Sequence, residues 1–191
     1  MMLADLATAL STTILAIKEN MVLPALILAF LWCISIVNWM NHSFLRVLGV
    51  YPRHLAGVPG IFLSPFIHAN ADHLFFNSVP LFLLMAFLLA MVGQTYFSEV
   101  SAWIIIVSGA LTWLVGRKAV HIGASGVIMG YWTYILAYTW HHPSLNAVIM
   151  SAIMLYYLAG LVLSLFPSSE KVSWEGHCCG AIAGIIVAYF L

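Results

Sequence analysis

Charge is what this chain of 191 residues has least of: six acidic and six basic side chains, 6% of the sequence, against 64% hydrophobic. Ordinary soluble domains carry about 25% charge. So few charges cannot cover a water-facing surface of this composition, and lipid must be the solvent. The formal net charge is zero, which leaves no basic patch for nucleic acid. Aspartate is scarcer still. Asp5 and Asp72 stand alone, and neither lies deep in an apolar run, which excludes a pair of intramembrane aspartates as catalysts. No H-E-x-x-H pair is present to hold zinc. Cysteine is limited to Cys33, Cys178 and Cys179. Neighbouring side chains on a helix diverge by roughly 100°, so Cys178 and Cys179 suit neither a shared metal nor a disulfide. The first residues, "MMLADLATAL", hold an acid and no basic cluster, which argues against a signal peptide.

What is present is a series of apolar runs, at about 22–40, 73–92, 96–115, 123–140, 145–165 and 175–191. Glu99 interrupts the third near its start and Glu175 opens the sixth. Each run is near the ~20 residues that span a bilayer. The expected fold is an all-α polytopic membrane protein: one membrane domain over residues 1–191, six transmembrane helices, no separate soluble domain. Residues 6–17 are apolar but too short to span, and read as an interfacial helix. The first connection, about 41–72, is long and contains "YPRHLAGVPGIFLSPFIHANAD". Its aromatics, histidines and prolines suit a loop resting in the membrane interface. Arg46, Arg53, Arg117, Lys118 and Lys171 fall in the first, third and fifth connections, and Lys18 on the other side. Charge alone therefore puts those odd connections in the cytoplasm.

Polar residues inside spans are expensive and are functional candidates by default. The second run begins "DHLFFNSVP", the fourth "GASGVIMG" and the sixth "GHCCGAIAG". In a six-helix serpentine, even spans start at the same membrane face. His73, Asn77, Ser125 and His177 therefore share one end and nearly one depth. Gly126 with Gly130, and Gly180 with Gly184, form G-x-x-x-G pairs that let two backbones approach closely. A close crossing of the fourth and sixth spans brings Ser125 to His177. A serine hydroxyl needs a base to take its proton, and a histidine can be that base. Glu175 is two residues from His177 and faces elsewhere on a helix, while Asp72 reads as the N-cap of the second span. The expectation is a Ser–His dyad. His73 and Asn77, at i and i+4, supply N–H donors for an oxyanion, with the Ser125 amide as a third. His42, His54, His121, His141 and His142 read as loop or interfacial residues. His68 divides evenly between that and a bond near the site.

The segments "HLFFN" (His73 to Asn77), "GASG" (Gly123 to Gly126) and "GHCCGAIAG" (Gly176 to Gly184), in this order on spans two, four and six, resemble the rhomboid intramembrane serine proteases, of the six-helix bacterial type called GlpG. The resemblance runs from the first span to Leu191. It implies Ser125 as nucleophile, His177 as general base, and His73, Asn77 and the Ser125 amide as the oxyanion site. Gly123, Gly126, Gly130, Gly180 and Gly184 would be the small residues that pack helices there. It further implies cleavage of transmembrane protein substrates in the lipid bilayer, with no metal or cofactor. The setting would be a bacterial inner membrane with the site on the extracytoplasmic face, opposite to the charge count. A non-proteolytic rhomboid-like factor that binds membrane clients is the alternative. Two departures stand out. The first loop reads "VPGIFLSPFIH" and lacks the Trp-Arg pair often found there. Met129 occupies the position, four after the serine, where relatives commonly stack a tyrosine on the base.

Overall fold

A computed structural model describes residues 2–166 and 173–191, with the backbone alone for 2–6. Its described residues are helical, and the only β-type pairing is an isolated bridge between Val50 and His121. The helices are α1 (Met2–Glu19), α2 (Val22–Met40), α3 (Gly60–Leu63), α4 (Ala71–Val115), α5 (Ser125–His141), α6 (Leu145–Leu158) and α7 (Trp174–Phe190). Short 3-10 turns cover Phe44–Leu48, Leu55–Gly57, Ser64–Phe66 and Ala159–Leu165.

Three helical stretches are long and apolar enough to cross a membrane: Val22–Met40, Ala71–Val115 and Leu145–Leu165, with mean hydropathy 2.1, 2.2 and 2.2. The second and third apolar runs are two halves of α4. Gly93 divides them with φ 76° and ψ 170°, a conformation open essentially to glycine alone. Pro80 lies within the first half, and the non-helical break falls at Gly93. The expected N-cap, Asp72, is corrected to Asn70. A cap needs extended backbone, and Asn70 has it (φ −160°, ψ 176°), accepting the His73 N–H at 2.8 Å. Asp72 sits in the first turn, where its charge suits the helix dipole.

α5 and α7 each have 17 residues, about 25 Å of helix and less than the ~30 Å hydrocarbon thickness. They form the most extensive helix pair. The glycine pairs explain why. A Cβ on Gly180 would collide with the Gly126 carbonyl, and one on Gly184 with the Gly130 carbonyl. The two G-x-x-x-G ladders therefore mesh in register, as the spacing predicts. Thr133 Oγ1 adds a hydrogen bond to the Ala181 carbonyl across the same seam, at 2.8 Å. The other neighbours tie in through single polar contacts. Tyr131 donates to Ser101 of α4 at 2.7 Å, and Thr139 bonds Ser151 of α6 at 2.7 Å. α2 leans on α4 through Trp32 Nε1 to Ser78 Oγ at 3.1 Å. The core between them is aliphatic and aromatic, with Leu74, Leu84, Leu88, Ile104, Met129 and Ile135 fully enclosed. α1 runs well past the apolar stretch that marks it and rests against α6 and α4.

Candidate active site

Ser125 is the first residue of α5, and the chain before it is irregular from Gly116. That irregular segment is pinned on both sides. The Val50–His121 bridge exchanges two backbone hydrogen bonds of 2.9 Å, and the Gly123 N–H bonds the Ser64 carbonyl at 2.9 Å. Ser125 thus starts its helix at a fixed point beneath the first connection. A cavity of about 710 Å³ opens there, and Ser125, His177, His73 and Asn77 all line it. All four candidates fall at one place. Arg46, Arg117 and His121 stand on its wall.

His177 is buried in the first turn of α7. Its Nδ1 lies 2.8 Å from the Ser164 carbonyl. A carbonyl only accepts, so Nδ1 carries the proton and Nε2 is left with a free lone pair. Ser164 belongs to the 3-10 turn Ala159–Leu165, and its hydroxyl lies 4.0 Å from the Met129 sulfur. Met129 itself is buried. The position of the absent tyrosine is thus filled by a thioether that packs under this turn, and a backbone carbonyl sets the imidazole. Among the described residues no hydrogen bond joins Glu175 to His177. The Glu175 Oε1 lies 3.6 Å from Arg117 Nε. Among the described residues no hydrogen bond joins Ser125 Oγ to His177.

Asn77 is 8% exposed and its Nδ2 has no hydrogen-bond partner. A buried amide donor left unpaired is uncommon and asks for an acceptor. His73 lies beside it, one turn earlier. Gly123, expected to pack helices, does something else. It precedes α5 with φ 111°, and a Cβ there would come within 2.6 Å of His73 Cε1 and 2.7 Å of its Nε2. Both its left-handed backbone and its missing side chain are needed, for the loop turn and for the imidazole. Gly126, Gly130, Gly180 and Gly184 keep the packing role.

Three further residues hold this arrangement: His68, for which a bond near the site was one of two open readings, His121, read as a loop or interfacial residue, and Ser173, which the sequence did not single out. His68 is fully buried. Its Nε2 accepts the Ala124 N–H at 3.3 Å, its ring meets that of His73 edge-on at 5.1 Å, and its carbonyl takes the Trp39 indole N–H at 2.9 Å. Burial first and the neighbouring His73 second lower its pKa to about 3, so it stays neutral. His121 bridges the Ser173 hydroxyl (2.5 Å) and the Arg117 carbonyl (3.0 Å). Ser173 in turn caps α7 through the Gly176 N–H at 3.3 Å. The N-terminus of the His177 helix is thereby clasped to the segment that presents Ser125. The motif "SWEG" before His177 has the form of an N-cap and could have revealed Ser173. Nothing local marks His68 or His121.

Behind Ser125 lies a smaller cavity of about 40 Å³, lined in part by Ser64, Ser108 and Thr112. That is room for at least one water among hydroxyl groups. No group of His, Cys, Asp and Glu among the described residues could hold a metal ion.

A polar chamber among long apolar helices is the architecture of a polytopic membrane protein. Comparison with known proteins gives the family. Residues 56–191 match the Rhomboid domain. An uncharacterised protein of Mycobacterium bovis is 33% identical over 172 residues, 85% of this chain and 71% of its own length. A candidate rhomboid protein of Acanthamoeba polyphaga mimivirus is 34% identical over 131 residues, 65% of this chain and 70% of its own. A candidate rhomboid protease of Bacillus subtilis is 30% identical over 124 residues, 64% and 62%. The chain belongs to the rhomboid family and is an integral membrane protein.

Proposed function

We propose that this protein is an intramembrane serine endopeptidase of the six-span bacterial type, cleaving transmembrane protein substrates through a Ser125–His177 dyad. The observation that carries this is the shared cavity, with an imidazole whose proton is already committed to Nδ1 and an unpaired amide donor at Asn77. In this reading the six spans are α2, the two halves of α4, α5, α6 with its 3-10 extension, and α7. The connection between α2 and α4 lies in the interface.

The chemistry follows from the tautomer. His177 Nε2 accepts the Ser125 hydroxyl proton as Oγ attacks the scissile carbonyl carbon. Negative charge gathers on the carbonyl oxygen, where Asn77 Nδ2, the His73 imidazole N–H and the Ser125 backbone N–H can donate. Collapse expels the amine, which takes the proton back from Nε2 and leaves an acyl ester on Ser125. A water, deprotonated by the same nitrogen, then hydrolyses the ester. The Ser164 carbonyl keeps the imidazolium oriented throughout, the part an aspartate plays in triads. The Ser125–His177 bond absent among the described residues is one that commonly tightens only when substrate is bound.

Cleavage of a model transmembrane substrate, with the scissile bond mapped by mass spectrometry, tests the assignment alongside fluorophosphonate labelling. Wild type is expected to cleave and to label, and Ser125→Ala to do neither. Equal labelling of the two removes Ser125 as nucleophile. Client processing that survives both Ser125→Ala and His177→Ala favours the non-proteolytic alternative.

A further inference from the structure

The end of the bundle away from Ser125 holds a second polar cavity, of about 340 Å³, at the low end of small-molecule sites. It lies where α5 turns into α6, roofed by α1 and by the last residues of the first half of α4. Thr13, Tyr138, His142, Ser144 and Asn146 give its polar wall. Thr13 is 3% exposed, and its Oγ1 has no partner. A hydroxyl so placed has lost water and gained nothing in return. The second observation is independent of the first. α6 begins on this wall: Ser144 caps the Ala147 N–H at 3.1 Å, which leaves the Leu145 and Asn146 amides of the first turn without intrahelical acceptors. Such a terminus attracts anionic oxygen. Among the described residues no aspartate or glutamate lines the cavity, and the His142 ring lies over Tyr138 at 4.8 Å.

The remaining wall is apolar, with Ala16, Met91 and Met150. α1 also turns Leu10, Ile14 and Leu15 outward. A ligand with a charged oxygen head and a hydrocarbon body matches both halves. We propose that this cavity binds the phosphate headgroup of a membrane phospholipid, seated on the N-terminus of α6 with the Thr13 hydroxyl as a further donor. The lipid fastens α1 to the bundle beneath the Gly93 break. This depends on the chain lying in a bilayer and not on its peptidase chemistry.

Native mass spectrometry of the full chain in detergent, titrated with phosphatidylglycerol, tests it. Wild type is expected to retain one lipid. Thr13→Val, which keeps the shape and removes the hydroxyl, is expected to weaken retention about tenfold. Thr13→Ser is expected to retain it as wild type does, which separates the hydroxyl from mere packing. Dioleoylglycerol, which lacks the phosphate, is expected not to be held. Equal retention by wild type and Thr13→Val, or equal binding of dioleoylglycerol, overturns the site. Thermal protection by inorganic phosphate alone that equals protection by phosphatidylglycerol overturns the lipid as its source.

Discussion

Asn77 carries the most direct residue-scale test of the site. Its Nδ2 is buried and unpaired, so truncation removes a donor without breaking any protein hydrogen bond. Asn77→Ala is expected to lower kcat about 10²–10³-fold, with KM and melting temperature close to wild type. A fall in KM-dependent binding alone, measured on the model substrate, would assign the residue to recognition and remove it from the oxyanion site. His68 gives a second test, read in stability. Folded, its pKa is about 3; unfolded, a histidine titrates near 6.5. Between those values the unfolded chain binds the extra proton. The stability linked to His68 is therefore complete above about pH 6.5 and is lost as pH falls toward 3. Melting curves from pH 7 to 4 are expected to slope less for His68→Gln, which keeps an acceptor for the Ala124 N–H, than for wild type.

At the scale of elements, the seam between α5 and α7 decides whether Ser125 and His177 meet. Gly180→Val places branched carbon against the Gly126 carbonyl, where only backbone can move. Overpacking of this kind typically costs 1–3 kcal/mol, and here it also separates Ser125 from His177. Both melting temperature and cleavage are expected to drop. Gly160 is the control, since nothing lies within 4 Å of a Cβ there. Gly160→Ala is expected to stay within about 0.5 kcal/mol of wild type. Gly93 has equally open surroundings but φ 76°, and Gly93→Ala is expected to cost about 1–3 kcal/mol through backbone strain. Calorimetry of the three variants in one detergent separates crowding from strain.

For the whole molecule the open issue is orientation, where charge count and family topology disagree. Arg53 donates to the Leu114 and Gly116 carbonyls at 2.9 Å each, finishing the C-terminus of α4. Arg117 pairs with Glu175. Those two guanidinium groups act in the fold. Lys171 lies outside the described residues. The charge of Arg53 and Arg117 nevertheless stays on that face, so the count remains Arg46, Arg53, Arg117, Lys118 and Lys171 against Lys18, a vote from six basic residues in all. With the site on the extracytoplasmic face, Val120→Cys, half exposed on the cavity wall, is expected to react with an impermeant maleimide on intact cells in a background without the native cysteines. Reaction only after permeabilisation reverses the orientation.

Composition and periodicity determined by themselves that this is a helical membrane chain, because 64% hydrophobic residues in runs near 20 have no other solvent. Local spacing also carried the glycine seam, since i, i+4 geometry on a helix is a short-range property, and it named His73, Asn77, Ser125 and His177 as candidates, which the fold sets along one cavity. Met129 shows where that stops. The resemblance named the missing tyrosine, but the sequence did not show what holds the His177 ring, for the Ser164 carbonyl comes from 13 residues before His177 and carries no side-chain signature. Gly123 is similar: its helix-packing role was read from neighbours in sequence, whereas its place is set by His73, fifty residues earlier. His68, His121 and Ser173 acquire partners only when the first connection, the segment before α5 and the start of α7 converge. A backbone acceptor or a buried imidazole is specified by what folds against it, so tertiary structure alone decided how the His177 ring is held and how Ser125 is presented.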